Sequence, residues 1–245
     1  MAKKVLKNRR KVSRINADRV REMGKALSAA IAGVRAGDEK FLSVSISDGN
    51  DKMGHIRSVS LLPVLTCPGR CKETCARDCY AVGMCFDGVK GWSRRKAYAK
   101  NTALWMLRPD LYFAAIDYAG KINRFFRWHV SGDIPNAAYF AEMVKIAVNN
   151  PGCKFLAFTK QWEIVNAWID DNGDLPSNLQ IILSGWFDEM PVNPHNLPVA
   201  VPVMAADADK YPDRALCGGN CETCACRGCG CWNLWNGQIM MLIYH

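Results

Sequence analysis

Three β-rich runs, beginning at Phe125, Lys154 and Leu179, follow one another at intervals of 29 and 25 residues, and each interval carries a helical pattern. That length holds one strand and one helical crossover. Parallel strands need such a crossover, since a short turn can join only antiparallel ones. The spacing predicts strands over residues 125–130, 154–158, 179–183 and 199–203, helices over 137–148 and 162–169, and a closing or edge strand over 239–244. The expected fold class is α/β. Its expected architecture is an incomplete or irregular βα barrel, because a full barrel takes about 250 residues and leaves no room for residues 1–36.

Upstream of this rhythm, Asn16 is placed to cap a helix whose Val20, Met23, Leu27, Ile31 and Val34 recur three or four apart until Gly37 stops it. Residues 41–47 alternate as FLSVSIS and residues 56–62 form a second β-rich run, so a strand pair is expected around Gly49, Asn50 and Asp51. Helical patterns follow over 89–107 and 110–122, with Pro109 between them. Apolar residues make up 49% of the chain and charged residues 22%, which is enough for a sizeable core and excludes wholesale disorder. The net charge of +9 is uneven: residues 1–14 hold seven Lys and Arg and no acid, so the remainder is nearly neutral. The chain thus reads as a flexible basic arm (1–15), an N-terminal helix (16–37) and one barrel-like α/β domain (38–245) that includes a cysteine-rich loop at 217–231.

Twelve cysteines narrow the chemistry. A chain of this length can bury its own core without disulfide staples. The basic N-terminus has no apolar run of signal-peptide length behind it, and no stretch approaches a membrane span, so a reducing cytoplasm is expected. In that compartment clustered cysteines bind metal or do redox chemistry. Cys67, Cys71, Cys75 and Cys79 stand four apart in CPGRCKETCARDC, with Cys85 a little later. Cys217, Cys221, Cys224, Cys226, Cys229 and Cys231 crowd into CGGNCETCACRGCGC, while Cys153 stands alone as a buried small hydrophobe would.

Zinc favours CxxC pairs, often with histidine. Only Cys221/Cys224 and Cys226/Cys229 have that spacing, and His55, His129, His195 and His245 all lie outside both runs. Iron–sulfur ligation tolerates mixed gaps, and Gly218, Gly219, Gly228 and Gly230 would let backbone amides approach the sulfides. Iron–sulfur clusters, of the 4Fe-4S kind, are therefore the favoured cofactors, with zinc as the alternative. The two loops are expected to be neighbours on one rim, shielded by Tyr80, Trp232 and Trp235, so that they escape oxidation.

A third group falls at strand ends. FRWHVSGDIP places Arg127, His129, Ser131, Gly132 and Asp133 at the end of one strand, FTK places Thr159 and Lys160 at the next, and LSGW places Ser184 and Trp186 at a third. Ligands bind at that edge of parallel sheets and barrels. Taken singly, each residue has a plainer reading: Arg127 pairing with a carboxylate, His129 hydrogen-bonded within the core, Lys160 capping a strand. Their repetition at equivalent positions favours a site in which Arg127, His129 and Lys160 face a substrate.

A cysteine loop after early strands, followed by βα units with a small-Gly-acid-x-Pro turn, resembles the radical S-adenosylmethionine superfamily, whose open βα barrel holds a cluster on three loop cysteines. The resemblance implies that Ser131, Gly132 and Asp133 hold the methionine amino group of S-adenosylmethionine, in the place of that family's Gly-Gly-Glu-like turn. It also implies that the cluster donates the electron that cleaves this cofactor. The spacing departs from the family's C-x3-C-x2-C at the first loop, where Cys71, Cys75 and Cys79 read C-x3-C-x3-C; Cys217, Cys221 and Cys224 show the family spacing near the other end of the chain. The ordered run CYA, HVSGDIPNAAYF, FLAFTK and LQIILSGW is also similar to the phage- and plasmid-borne gene product eighty-eight family, over about residues 41–235. That second resemblance implies a mobile-element origin and no assigned activity. The functional expectation is an iron–sulfur, radical-type enzyme of unknown substrate. The competing expectation is a nucleic-acid-binding accessory protein with structural zinc or iron–sulfur knuckles, whose basic arm contacts phosphates. A membrane partner is not expected.

Overall fold

The structure, a computed structural model, describes residues 16–72, 74–187, 189–210, 214–228 and 230–244. The basic arm, Cys229 and His245 lie outside the described residues. Asn16 caps helix α1 (Ala17–Arg35), its side-chain oxygen accepting the Arg19 amide at 2.8 Å, and Gly37 turns the chain away at φ 70°. The expected hairpin after α1 does not form: Glu39–Phe41 winds into a 3-10 turn, and one antiparallel bridge, Ser47 to Ser58, is all that joins the two runs. Asn101 accounts for the loss. This residue sits on α3 (Gly88–Leu107), which follows the short α2 (Tyr80–Cys85). Fully buried, it accepts the Ser45 amide at 2.7 Å and donates to the carbonyls of Ser45 and Ser60, occupying groups that a ladder would have used.

Seven strands form one sheet: β1 (Arg57–Val59), β2 (Phe125–Trp128), β3 (Lys154–Thr159), β4 (Leu179–Ser184), β5 (Val199–Met204), β6 (Ala215–Leu216) and β7 (Ile239–Tyr244). Their order is β1-β2-β3-β4-β5-β7-β6, and every neighbouring pair is parallel. The strands starting at 125, 154 and 179 are adjacent and parallel, as their spacing demands. Residues 239–244 are not an edge, because β7 pairs with β5 on one side and β6 on the other. The edge belongs to β6, whose two residues are too few to leave a pattern in the sequence.

Helices α4 (Pro109–Ile122), α5 (Ala137–Asn149) and α6 (Trp162–Asn172) complete the layer that α1 and α3 begin. Right-handed crossovers between strands taken in chain order put all their helices on one side. The period-two alternation of the strands shows the result. Phe126, Trp128, Phe155, Ala157, Ile181 and Leu183 join Leu104, Ile116, Phe140 and Val165 of the helices in the main core. Each large side chain fully buried there contributes roughly 1.5–3 kcal/mol. The alternate residues Leu156, Ile182, Ala200 and Met240 face away from the helices and meet Met53, Ile56, Trp232 and Leu234 from loops. Among the described residues no helix is long and apolar enough to cross a membrane.

Candidate metal centre

The first cysteine loop leaves β1 and is pinned at its root. The Thr66 hydroxyl donates to the Leu62 carbonyl at 2.7 Å, and the Leu62 amide donates to Thr102 Oγ1 of α3 at 3.0 Å. Farther along, Arg70 pairs with Glu163 and lies 4.0 Å from the Trp162 ring centroid, which ties the loop to the first turn of α6. Within the loop Cys71 interacts with both Cys67 and Cys75. The interaction with Cys67, followed by burial, raises the Cys71 thiol; that with Cys71, together with burial, raises Cys75; burial raises Cys79. Cys85 is fully buried at the end of α2, where burial pushes its thiol up to about 11, and its carbonyl accepts from Arg95 at 3.1 Å. Every described cysteine is a free thiol.

Beneath this loop lies the strand-end rim. Asp133 is buried and its carboxylate is fully engaged: Oδ1 accepts Thr159 Oγ1 at 2.5 Å and the Ile134 amide at 2.8 Å, and Oδ2 accepts the Lys160 amide at 2.9 Å. Ser131 donates to the Leu61 carbonyl at 3.1 Å. The side chains of Ser131 and Asp133 thus brace the rim, since their polar atoms are spent on protein partners. Gly132 has φ 82°, and a Cβ there would sit 2.7 Å from Thr66 Oγ1 and 2.9 Å from Leu61 Cβ. Gly132→Ala is expected to cost about 2 kcal/mol or more and to lower the melting temperature by roughly 5 °C; a thermal melt unchanged from wild type would contradict this packing.

Lys160 is buried, and its ammonium donates to the carbonyls of Gly185 at 2.8 Å and Ser184 at 3.2 Å, beyond the end of β4. Its charge acts on Cys75, and that of Asp133 acts on Cys71. Lys160, Asp133 and the first cysteine loop are therefore one assembly at the C-terminal rim.

His129 departs from the expected substrate-facing role. It is buried at φ 49°, its Nε2 lies 2.9 Å from the Tyr139 hydroxyl, and Tyr139 in turn meets the Tyr112 hydroxyl at 2.7 Å. The positive φ turns the ring toward the helices, where it packs on Trp128 and Tyr139. Burial lowers its titration to about 3, so the imidazole is neutral in the fold. The unfolded chain binds this proton near pH 6.5 and the folded chain does not. Stability from this group is therefore complete above about 6.5 and falls by about 1.4 kcal/mol per pH unit below it, until the folded value is reached. Urea melts at pH 7 and pH 5 are expected to show this loss in wild type and a flatter slope in His129→Gln.

The second cysteine loop does not share the rim; it lies across the face without helices. Its helix α7 (Cys221–Cys226) is held by residues 50–55: the Cys221 amide donates to the Lys52 carbonyl at 2.9 Å, and Glu222 accepts the His55 amide at 3.1 Å. Cys217, Cys221, Cys224 and Cys231 pack into the cluster built on Leu156, Ile182 and Met240, whereas Cys226 is exposed. Burial raises the Cys231 thiol to about 12, against the opposing charge of Arg127. Arg127 projects from β2 onto this face, with its guanidinium 3.7 Å from Cys221 Sγ, 3.2 Å from Met53 Sδ and 4.8 Å from the Phe158 centroid. It also acts electrostatically on Tyr80, whose hydroxyl donates to the Val130 carbonyl at 2.6 Å. Arg127 thus belongs to the second cysteine loop, with an electrostatic reach to Tyr80 at the start of α2. Of the expected shields, Trp232 is buried against Phe125, while Trp235 and Tyr80 are 70% and 60% exposed. Met53 and Asn101 were not legible as parts of this arrangement, because each acts through a contact far along the chain.

Among the described residues, no three Cys, His, Asp or Glu side chains converge tightly enough to hold a single metal ion. No curated protein and no solved structure matches the chain. The model of one family, described as Gene product 88, matches residues 11–229, a span that takes in the first cysteine loop, the rim and most of the second loop. With nearly the whole length matched, the chain belongs to the Gene product 88 family.

Proposed function

We propose that this chain is an iron–sulfur protein of the radical S-adenosylmethionine type, with its first cluster on Cys67, Cys71 and Cys75. The observation that carries the reading is the run of three mutually interacting free thiols at the C-terminal rim of a parallel sheet, with the buried Lys160 ammonium acting on Cys75. The donor set fits. Free thiols packed against one another can exchange their protons for metal, and a cluster takes its cysteines on different irons, so neighbouring sulfurs suffice where a single ion would need convergence. The sheet supports the same reading, since parallel strands in nearly sequential order with helices on one side are what a βα barrel has before it closes.

Bound there, a reduced cluster supplies the electron that cleaves S-adenosylmethionine. The chain's own contribution is placement. Gly132 lets the turn after β2 pass under the loop without a clash, Asp133 locks that turn to the end of β3, and Lys160 offsets thiolate charge. Cys217, Cys221, Cys224 and Cys231 would hold an auxiliary cluster on the open face, with Arg127 beside Cys221 and Cys231. Anaerobically purified protein is expected to be brown, with iron and acid-labile sulfide in equal amounts. Colourless protein carrying stoichiometric zinc overturns the cluster. Iron-loaded protein that leaves S-adenosylmethionine intact under reduction overturns the radical chemistry and leaves a redox or structural cluster.

A further inference from the structure

A cleft of about 560 Å³ runs between α1 and α3, on the helical side of the molecule and away from both cysteine loops. Four of the five charged side chains that line it are cationic: Lys25, Arg95, Lys96 and Lys100. The fifth, Glu22, is taken by Lys25 at 2.9 Å. Lys96 sits 3.6 Å from the centroid of the Trp92 ring, and Lys100 donates to Ser43 Oγ at 3.3 Å, so neither is spent on a carboxylate among the described residues. Trp92 is half exposed and Phe41 half buried in the same lining. Phe41 packs against the main core, whereas Trp92 lies outside both core clusters, so the cleft offers the exposed Trp92 ring together with positive charge.

The approach to the cleft carries the same sign. Arg19, in the first turn of α1, lies 5.2 Å from the Phe86 ring centroid, and Arg95 of the cleft lies 4.6 Å from the same centroid. The start of α1 thus sits at the Arg95 end of the cleft. The sequence immediately before that start holds seven Lys and Arg and no acid within residues 1–14.

We propose that this cleft binds single-stranded nucleic acid, with the cations on the phosphates and Trp92 stacking on a base. Unpaired strands present both a charged backbone and open base faces, and proteins that bind them without sequence preference pair a basic groove with exposed aromatics. A duplex hides its base faces, so Trp92 would have nothing to stack on. The proposal is independent of the metal and holds whichever metal the cysteines bind.

The test is fluorescence anisotropy of labelled oligo(dT) and of a duplex of equal length, titrated with the full chain at several salt concentrations. Iron and zinc are measured on the same samples. The single strand is expected to bind more tightly than the duplex, with affinity falling steeply as salt rises. Trp92→Ala is expected to weaken binding roughly tenfold, the size of one lost stack. Lys96→Glu should weaken it and flatten the salt dependence, with metal content unchanged in both variants. No binding at low salt overturns the proposal. Equal affinity for the duplex overturns the stacking, and wild-type affinity in both variants assigns binding to the arm alone and removes the cleft from it. A zinc-loaded protein that still binds as described leaves this inference standing while the cluster assignment falls.

Discussion

Cys71→Ser is expected to leave the protein without the iron and sulfide of its first site while the second site keeps its own. Cys71 is the member of the group that interacts with both of the others, Cys67 and Cys75. Its loss therefore breaks the donor set at the centre, and a serine oxygen is a poor substitute where a soft sulfur ligand is needed. Cys153 is the control. It is more deeply buried, at 1% exposure against 6% for Cys71, but packs in the main core on the helix side, and burial alone pushes its thiol up to about 12. Cys153→Ala should keep full iron and full colour. If Cys71→Ser retains the wild-type iron per chain, the first loop is not the ligand loop.

Trp232→Ala should produce the largest loss of stability. Trp232 is 3% exposed, packs edge-on to Phe125 at 5.3 Å between centroids, and covers a part of the sheet that has no helix over it. Truncating a buried tryptophan costs about 3–5 kcal/mol, which for a chain of this size is a fall of roughly 10 °C in melting temperature. Trp235, three residues on and 70% exposed, sets the comparison: Trp235→Ala should melt within a degree or two of wild type. Equal effects from the two would mean that the loop does not lie on the open face. Chelation should move the melting temperature in the same direction as Trp232→Ala, because a metal on this loop closes a long segment of chain.

The repeating part of the fold was readable because it is periodic. From Phe125 to Met204 each strand and helix has enough residues to show its own period, and the boundaries moved by at most three residues. Residues 41–47 misled because alternation reports a half-buried extended chain, not its partner, and Asn101 claims the backbone of Ser45 from fifty-six residues away. The rim divides in the same way. That Lys160, Asp133 and the first cysteines meet could be inferred from their common place at strand ends. The inward turn of His129 depends on a positive φ and on Tyr139 and Tyr112, which no local pattern announces. Arg127 was legible as a functional candidate but not in its position, since one residue of register decides whether a strand side chain faces the helices or the open face.

The place of β7 in the sheet has a consequence for how the protein is made. β6 pairs with β7 alone, so this edge strand has no ladder to join until residues 239–244 are in place, although the loop between them also rests on residues 50–55 and on Leu156 and Ile182. The first loop is different: its anchors Thr102, Glu163 and Asp133, together with the Lys160 carbonyl partners Ser184 and Gly185, all precede residue 186. Because synthesis and folding proceed from the N-terminus, the first set of cysteines has all its anchors in place earlier in synthesis than the second, whose flanking strand β6 waits for β7. If both sets hold metal as proposed, the first site is complete before the second, and β7 is the strand on which the far edge of the sheet depends.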